Sequence, residues 1–501
     1  MVICLLLLTL CGCASQKETG DSTQTGNEQE LSQIVTDTEA TDDTVGEGES
    51  VETAAGESED GSSEAVSSQS DSGARPQSEE AVTEDDAILY GDEQEDAYLP
   101  LLTGKRVALF SNQTGIVGDR TRGEEQAADT SEAVGEGADL QPFGKNADGS
   151  DVIYAEHILD LLLERGVDVT VVFSPEHGFR NEADAGASVS DQVDEKTGVK
   201  IRSLYGSSKE LTDGDVSSFD VLVIDLQDIG LRYYTYYLTM YDLMDACARA
   251  GRQIVLLDRP NPNGFYVDGP ILQEGFHSGI GRLPLPVVHG MTLGELAKMI
   301  NGEGWLSAGK DAADLTVIPC QNYSHKDKPF IAVRPSPNIK DMRAVYLYAS
   351  TCFFENTAIS VGRGTEYPFT IYGSPYLKGA AGYDASFTPV SMPGATDPPF
   401  RDQECFGKSL RQLSLSEVQS AGIDLRYLTE AYRAMQETAP EVSFFGKPDQ
   451  KGRYWLDLLS GSDLLRKMIE EGKSPDQIKA SWQEELAEFR EKRKPYLLYE
   501  E

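Results

Sequence analysis

The chain has 501 residues, room for two or three domains, and its 84 acidic against 43 basic residues give a net charge of −41. Such a charge opposes contact with phosphate backbones and anionic head groups, which excludes nucleic-acid binding as a primary role. The 47 Gly and 23 Pro follow no G-X-Y period, and no apolar run approaches the roughly 18–20 residues of a membrane span, so collagen and polytopic membrane folds are excluded too.

The first thirteen residues, MVICLLLLTLCGC, hold a short apolar core that suits a signal peptide and is too brief for a mature membrane helix. Their ending, Leu10-Cys11-Gly12-Cys13, resembles a bacterial lipobox, with lipidation expected at Cys13; a plain secretory signal is the alternative. No Lys or Arg precedes the apolar core, so a few further residues are expected ahead of Met1. Residues 14–98 carry 25 Asp or Glu against Lys17 and Arg75 among Ser, Thr and Gly, too little apolar surface to offset the entropy of ordering. They read as an extended, self-repelling linker. Anchor and linker together predict an extracytoplasmic domain whose only membrane contact is the lipid on Cys13.

From Leu101 onward β-branched runs alternate with amphipathic helices. Strands are expected at Lys105 to Phe110, Val167 to Phe173, Val221 to Asp225 and Gln253 to Leu257, with helices at Ile153 to Arg165 and Leu238 to Ala250. Crossover helices between strands predict an α/β fold, a Rossmann-like doubly wound parallel sheet over 99–305. The acidic, Gly-rich stretch 119–150 is expected to be a surface loop insertion. A second, smaller α/β domain is expected over 306–501, with strands near Leu315 to Ile318 and Ala344 to Tyr348 and closing helices around Asp463 to Glu471 and Pro475 to Lys494. Cys247, Cys320, Cys352 and Cys405 are far apart in apolar surroundings and read as buried free thiols.

In an open parallel sheet, ligands bind beyond the carboxyl ends of the strands. Here those ends are polar: Ser111-Asn112-Gln113-Thr114-Gly115, Ser174-Pro175-Glu176-His177-Gly178, Asp225-Leu226-Gln227-Asp228-Ile229-Gly230 and Asp258-Arg259-Pro260-Asn261-Pro262. The turn after the first strand lacks G-x-G-x-x-G, which leaves nucleotide binding without support, and the chain has neither G-x-S-x-G nor H-E-x-x-H, so no metal is expected.

These turns, with Arg232-Tyr233-Tyr234-Thr235-Tyr236, His289-Gly290-Met291-Thr292, Gly362-Arg363-Gly364-Thr365 and the closing Pro495-Tyr496-Leu497-Leu498-Tyr499, occur in one order. Together they resemble the DUF1343 family, which includes the exo-β-N-acetylmuramidases of the NamZ type, over about 400 residues. Two departures stand out, the 119–150 insertion and Asn356 where Gly is expected after Glu355. The resemblance implies two α/β domains with the active site in the cleft between them and no cofactor. It also implies a glycoside hydrolase that removes N-acetylmuramic acid from the non-reducing end of peptidoglycan fragments during wall turnover. A lipoprotein that only captures such saccharides is the alternative.

Hydrolysis of this kind needs one carboxyl group to protonate the leaving oxygen and a second group as base or nucleophile. Glu176, on a turn stiffened by Pro175, is the candidate acid; capping the next helix or pairing Arg180 is its structural alternative. Asp225 and Asp228 are candidates for the second group, unless the substrate's own acetamido oxygen serves. The lactyl carboxylate of N-acetylmuramic acid calls for an arginine fork, and Arg232, Arg363 and Arg259 are the candidates. Asn112, Gln113, His177, Tyr233, Tyr236 and His289 complete the candidate substrate contacts, each with a turn or core role as its alternative.

Overall fold

A computed structural model describes residues 87–117, 156–176, 179, 191–204, 211–331 and 333–501, all within one compact unit, Glu79–Glu501. Seven strands form the main sheet: β1 (Arg106–Ser111), β2 (Asp168–Ser174), β3 (Gln192–Val193), β4 (Lys200–Ser203), β5 (Val221–Asp225), β6 (Gln253–Leu257) and β7 (Asp314–Ile318). Their order is β3-β4-β2-β1-β5-β6-β7, parallel throughout except for the short edge strand β3. Without β3 this is the doubly wound order in which the sequence starts centrally, runs to one edge, returns and runs to the other.

Alternation along the strands explains why both faces are covered. Val107, Leu109, Val221 and Val223 pack with Tyr98, Leu102, Ile158 and Leu162 on one face. Ala108, Phe110, Leu222 and Ile224 face the other way, toward Leu243, Met244, Leu296 and Ile300 of the helices Tyr236–Ala250 and Leu293–Gly302. The second of these helices begins where His289-Gly290-Met291-Thr292 ends. Thr292 accepts from Glu295 N (3.2 Å) while Glu295 accepts from Thr292 N (2.9 Å), a reciprocal cap. Thr292 Oγ1 also donates to Asp258 (2.7 Å), and Tyr499 of the closing motif donates to the same carboxylate (2.6 Å). Two of the ordered motifs are therefore fastened to the carboxyl end of β6.

The remaining strands, β8 (Ile371–Ser374), β9 (Ala385–Phe387) and β10 (Cys405–Ser409), form an antiparallel sheet in the order β8-β10-β9 with helices around it. The fold is thus an α/β sheet domain with a second, smaller α/β part. Cys247, Cys320, Cys352 and Cys405 are buried and free.

Several expectations are corrected. The acidic linker does not run to residue 98: Leu89 pairs with Gln321, Tyr90 and Tyr98 are buried, and a helix spans Glu95–Leu102. The acidity there misleads, because Asp92 is enclosed against Arg259 rather than solvated. The sheet domain does not stop at 305, since β7 pairs with β6 beyond it. As a half-exposed edge strand, β7 carries only a weak apolar alternation. Ala344 to Tyr348 is helical, within Met342–Thr351, capped by Asp341 accepting from Ala344 N (2.7 Å). That helix is buried nearly all round, which erases the amphipathic period. The closing helix is two, Pro475–Ala480 and Gln483–Arg493. Residues 1–86, including Cys13, and the 119–150 stretch lie outside the described residues.

Candidate active site

The switch in strand order falls between β1 and β5, and there the turns after both strands are joined: Gln227 N donates to Thr114 Oγ1 (2.8 Å). Asn112 Oδ1 accepts from Thr114 N (3.0 Å) and Thr114 Oγ1 (2.6 Å), so this amide shapes the turn. Its Nδ2 is buried with no hydrogen-bond partner among the described residues. Gln113 reaches the other way and donates from Nε2 to the carbonyls of Arg334 (2.9 Å) and Pro335 (3.3 Å).

Pro335 is a fastening point for the tyrosine run as well. Its carbonyl accepts from Tyr234 (2.8 Å) and Tyr236 (2.6 Å), whose rings lie 4.7 Å apart. Tyr233 donates to Ala349 O (2.7 Å) and is core. Tyr233 and Tyr236 thus hold the two parts of the fold together, and neither offers a free hydroxyl to a sugar. Thr235 lies between Tyr234 and Tyr236 and is half-buried. Thr235 Oγ1 donates to Glu176 Oε2 (3.0 Å), fixing a half-buried carboxylate just past the end of β2.

The other two candidate carboxylates are enclosed. Asp225 receives Arg259 Nε at 2.6 Å and Nη2 at 3.1 Å, and the same Nη2 reaches Asp92 at 2.7 Å. Burial opposes the Arg259 charge, but the two carboxylates hold its pKa above the ordinary arginine value. This buried cluster sets two carboxylates on one guanidinium and ties the ends of β5 and β6 to Asp92, so the charged groups of Asp225 and Arg259 are engaged with one another. Asp228 Oδ1 accepts from Gly230 N (2.6 Å), while Oδ2 is buried with no partner among the described residues. Burial pushes its carboxyl up to about 7, against the N–H groups of Gly230 and Ile229. Gly230 has φ 74°, and a Cβ there would fall 2.2 Å from Asn261 Nδ2, so only glycine closes this turn.

Arg232 is structural. Fully buried, it donates to the carbonyls of Pro270 (2.8 Å), Leu285 (2.5 Å) and Leu459 (2.7 Å), and burial lowers its pKa to about 10. His289 is also inside: its Nδ1 accepts from Met291 N (3.3 Å), and burial, with Arg493 and Arg232 adding, lowers its pKa to about 3. It is a neutral core histidine and not a substrate contact.

Arg363 is the candidate arginine that stays open. Gly362 and Gly364 on either side have φ 79° and 81°, and a Cβ on Gly364 would meet Val390 O at 2.7 Å. The guanidinium lies over Phe369 (5.1 Å), and its Nε donates to Glu355 Oε1 (2.8 Å). Burial opposes its charge while Glu355 more than offsets this, holding the pKa above the arginine norm. A series of rings links this pair to the Glu176 region, Phe369 to Tyr348 (4.5 Å), Tyr348 to Tyr234 (6.2 Å) and Tyr234 to Tyr236. Glu355, Thr235 and Tyr348 were not singled out from sequence. Only the position of Glu355, before an unusual Asn, hinted at it; Asn356 has φ 55°, the left-handed conformation that accounts for Gly being expected there. His177 lies outside the described residues.

Residues 147–343 match the model of the N-terminal part of the exo-β-N-acetylmuramidase NamZ, and 346–499 that of its C-terminal part. The peptidoglycan β-N-acetylmuramidase NamZ of Bacillus subtilis (strain 168) is 34% identical over 356 residues, 68% of this chain and 82% of that protein. A crystal structure of a DUF1343 family protein from Bacteroides fragilis NCTC 9343 is 44% identical with a TM-score of 0.67, covering 83% of this chain and 99% of its own. A second DUF1343 structure from that organism, at 24% identity and a TM-score of 0.61 over 82% and 99% of the two chains, shares the fold. The chain belongs to the NamZ family of exo-β-N-acetylmuramidases, within DUF1343.

Proposed function

We propose that this chain is a peptidoglycan exo-β-N-acetylmuramidase in which Glu176 protonates the glycosidic oxygen and Arg363 reads the lactyl carboxylate of the terminal sugar. The observation that carries the assignment of roles is a difference in access. Of the three candidate carboxylates only Glu176 is not enclosed, and Thr235 holds it beside the switch point of the sheet. A general acid must reach the leaving oxygen, and Asp225 and Asp228 are shut away from it. Asp228 serves from below, as a buried carboxyl under the turn that carries the site. Arg363 keeps its two terminal nitrogens for a carboxylate because Glu355 takes Nε.

The reading extends to placement. The lipobox-like Leu10-Cys11-Gly12-Cys13 supports an extracytoplasmic lipoprotein anchored at Cys13, acting in wall turnover and recycling. Incorporation of labelled fatty acid that disappears in Cys13→Ala is the expected result, and unchanged incorporation counts against the anchor.

The activity test compares a chromogenic β-N-acetylmuramide with its N-acetylglucosamine counterpart. Release from the muramide alone, reduced about 10²–10⁴-fold in Glu176→Gln, is expected for a general acid. Arg363→Lys is expected to erase most of the preference between the two sugars. Full activity in Glu176→Gln would remove it from the chemistry.

A further inference from the structure

A groove of about 480 Å³ lies apart from the Glu176 site and shares no residue with it. Phe265 and Tyr266 form its aromatic part, half-buried, with ring centres 4.8 Å apart and planes tilted by 35°. Three cations surround them. Lys328 is exposed, stands 5.0 Å over the Phe265 ring and has no carboxylate partner among the described residues. Lys479 lies 3.2 Å from Asp268, and Arg490 donates to Val267 O at 2.9 Å. Asp268 is the single acid of the lining, and Trp482 Nε1 also donates to it at 3.0 Å. The lining therefore carries an excess of two positive charges in a chain whose net charge is −41.

Aromatic faces stack on sugar rings, and cations beside them select an anionic saccharide over a neutral one. The volume matches the few hundred to 1,000 Å³ of a small-ligand site, but the open mouth suits a strand passing through rather than an enclosed molecule. We infer that this groove is a second, non-catalytic binding site for a carboxylate-bearing glycan strand. An enzyme that works at strand ends gains from it directly, because holding one part of the polymer raises the effective concentration of its ends at the cleft. The mutual neutralisation of Lys479 and Asp268 leaves Lys328 and Arg490 as the charges the strand meets.

The test uses the full chain carrying Glu176→Gln, so that strands are not consumed, and insoluble peptidoglycan as the probe. Excess small muramide occupies the cleft. Retention on the pellet is expected to fall about tenfold in Lys328→Glu and to weaken as salt rises. Prior acid stripping of phosphodiester polymers from the pellet is expected to leave retention unchanged; loss on stripping would overturn the carboxylate assignment in favour of a phosphate-bearing polymer. Equal retention by parent and charge-reversed protein, or none by either, overturns the site. The same charge reversal in the chain with Glu176 intact should hydrolyse the chromogenic muramide at the parental rate with an unchanged thermal midpoint. A chain that hydrolyses no muramide yet is retained through Lys328 would refute the enzymatic reading and leave the groove standing.

Discussion

Two arginine–carboxylate sites in this fold are built from the same residue types and do opposite things. Arg259 has 6% of its side chain exposed and Asp225 none, and a second carboxylate, Asp92, completes the enclosure. Arg363 and Glu355 are 18% and 23% exposed, with one carboxylate for one guanidinium. In the first, the guanidinium nitrogens that face an acid are taken up internally by two carboxylates. In the second only Nε is bonded to the acid, and the Nη groups have no carboxylate partner among the described residues. An arginine near a sheet edge is therefore informative only once its partners are counted: a closed cluster holds the scaffold, while an open pair has donors to spare for a ligand.

Breaking the closed cluster should have the largest effect. Arg259→Met leaves Asp92 and Asp225 facing each other without a cation, and removing one partner of a buried ion pair costs about 3–5 kcal/mol. Urea unfolding should show that loss, while the surviving folded fraction keeps its KM for the muramide. A KM change without a stability change would make Arg259 a ligand contact after all.

Asp228 sharpens the comparison as a buried acid with no cation. Its folded pKa of about 7 stands above the 3.8 of an ordinary aspartate, so the fold favours the neutral form. The stability this supplies is whole below about pH 4 and is lost as pH rises through 7. Relative to Asp228→Asn, which keeps the acceptor for Gly230, the parent should lose roughly 2–4 kcal/mol between pH 4 and pH 8. Parallel stability curves for the two proteins would remove Asp228 as the titrating group.

Much of the fold was legible because the central strands are apolar on both faces. Val221–Asp225 and Gln253–Leu257 are strands at the residues their composition marks. The elements that were misread share a cause. Edge strand β7 and the linker's end at Leu89 to Tyr98 owe their order to partners distant in sequence, Gln253–Leu257 for one and Gln321 and Arg259 for the other. The convergence of the polar strand ends was legible in outline, since the turns after β1, β2, β5 and β6 do contact one another. Which of those side chains are enclosed was not, because that depends on partners distant in sequence. Arg232 between Gly230-Leu231 and a tyrosine run reads as a sugar-side fork, yet its donors end on three carbonyls brought together from Pro270, Leu285 and Leu459.

The open pair yields the smallest and most discriminating effect, because two substitutions at Glu355 should move KM in opposite directions. Glu355 does two things to Arg363: it accepts from Nε and so fixes the fork, and it neutralises part of the charge that a substrate carboxylate would meet. Glu355→Gln keeps an acceptor at the same reach and removes the competing charge, so KM for the muramide should fall about two- to threefold. Glu355→Ala removes the charge and the orientation together; Phe369 alone then supports the guanidinium, and KM should rise about three- to tenfold, under 1.4 kcal/mol. Neither should alter KM for the glucosaminide, which has no carboxylate to place. If both substitutions raise KM equally for the two sugars, Glu355 merely supports the loop. If both abolish turnover while KM holds, Glu355 belongs to the chemistry with Glu176, and the open pair is catalytic instead of selective.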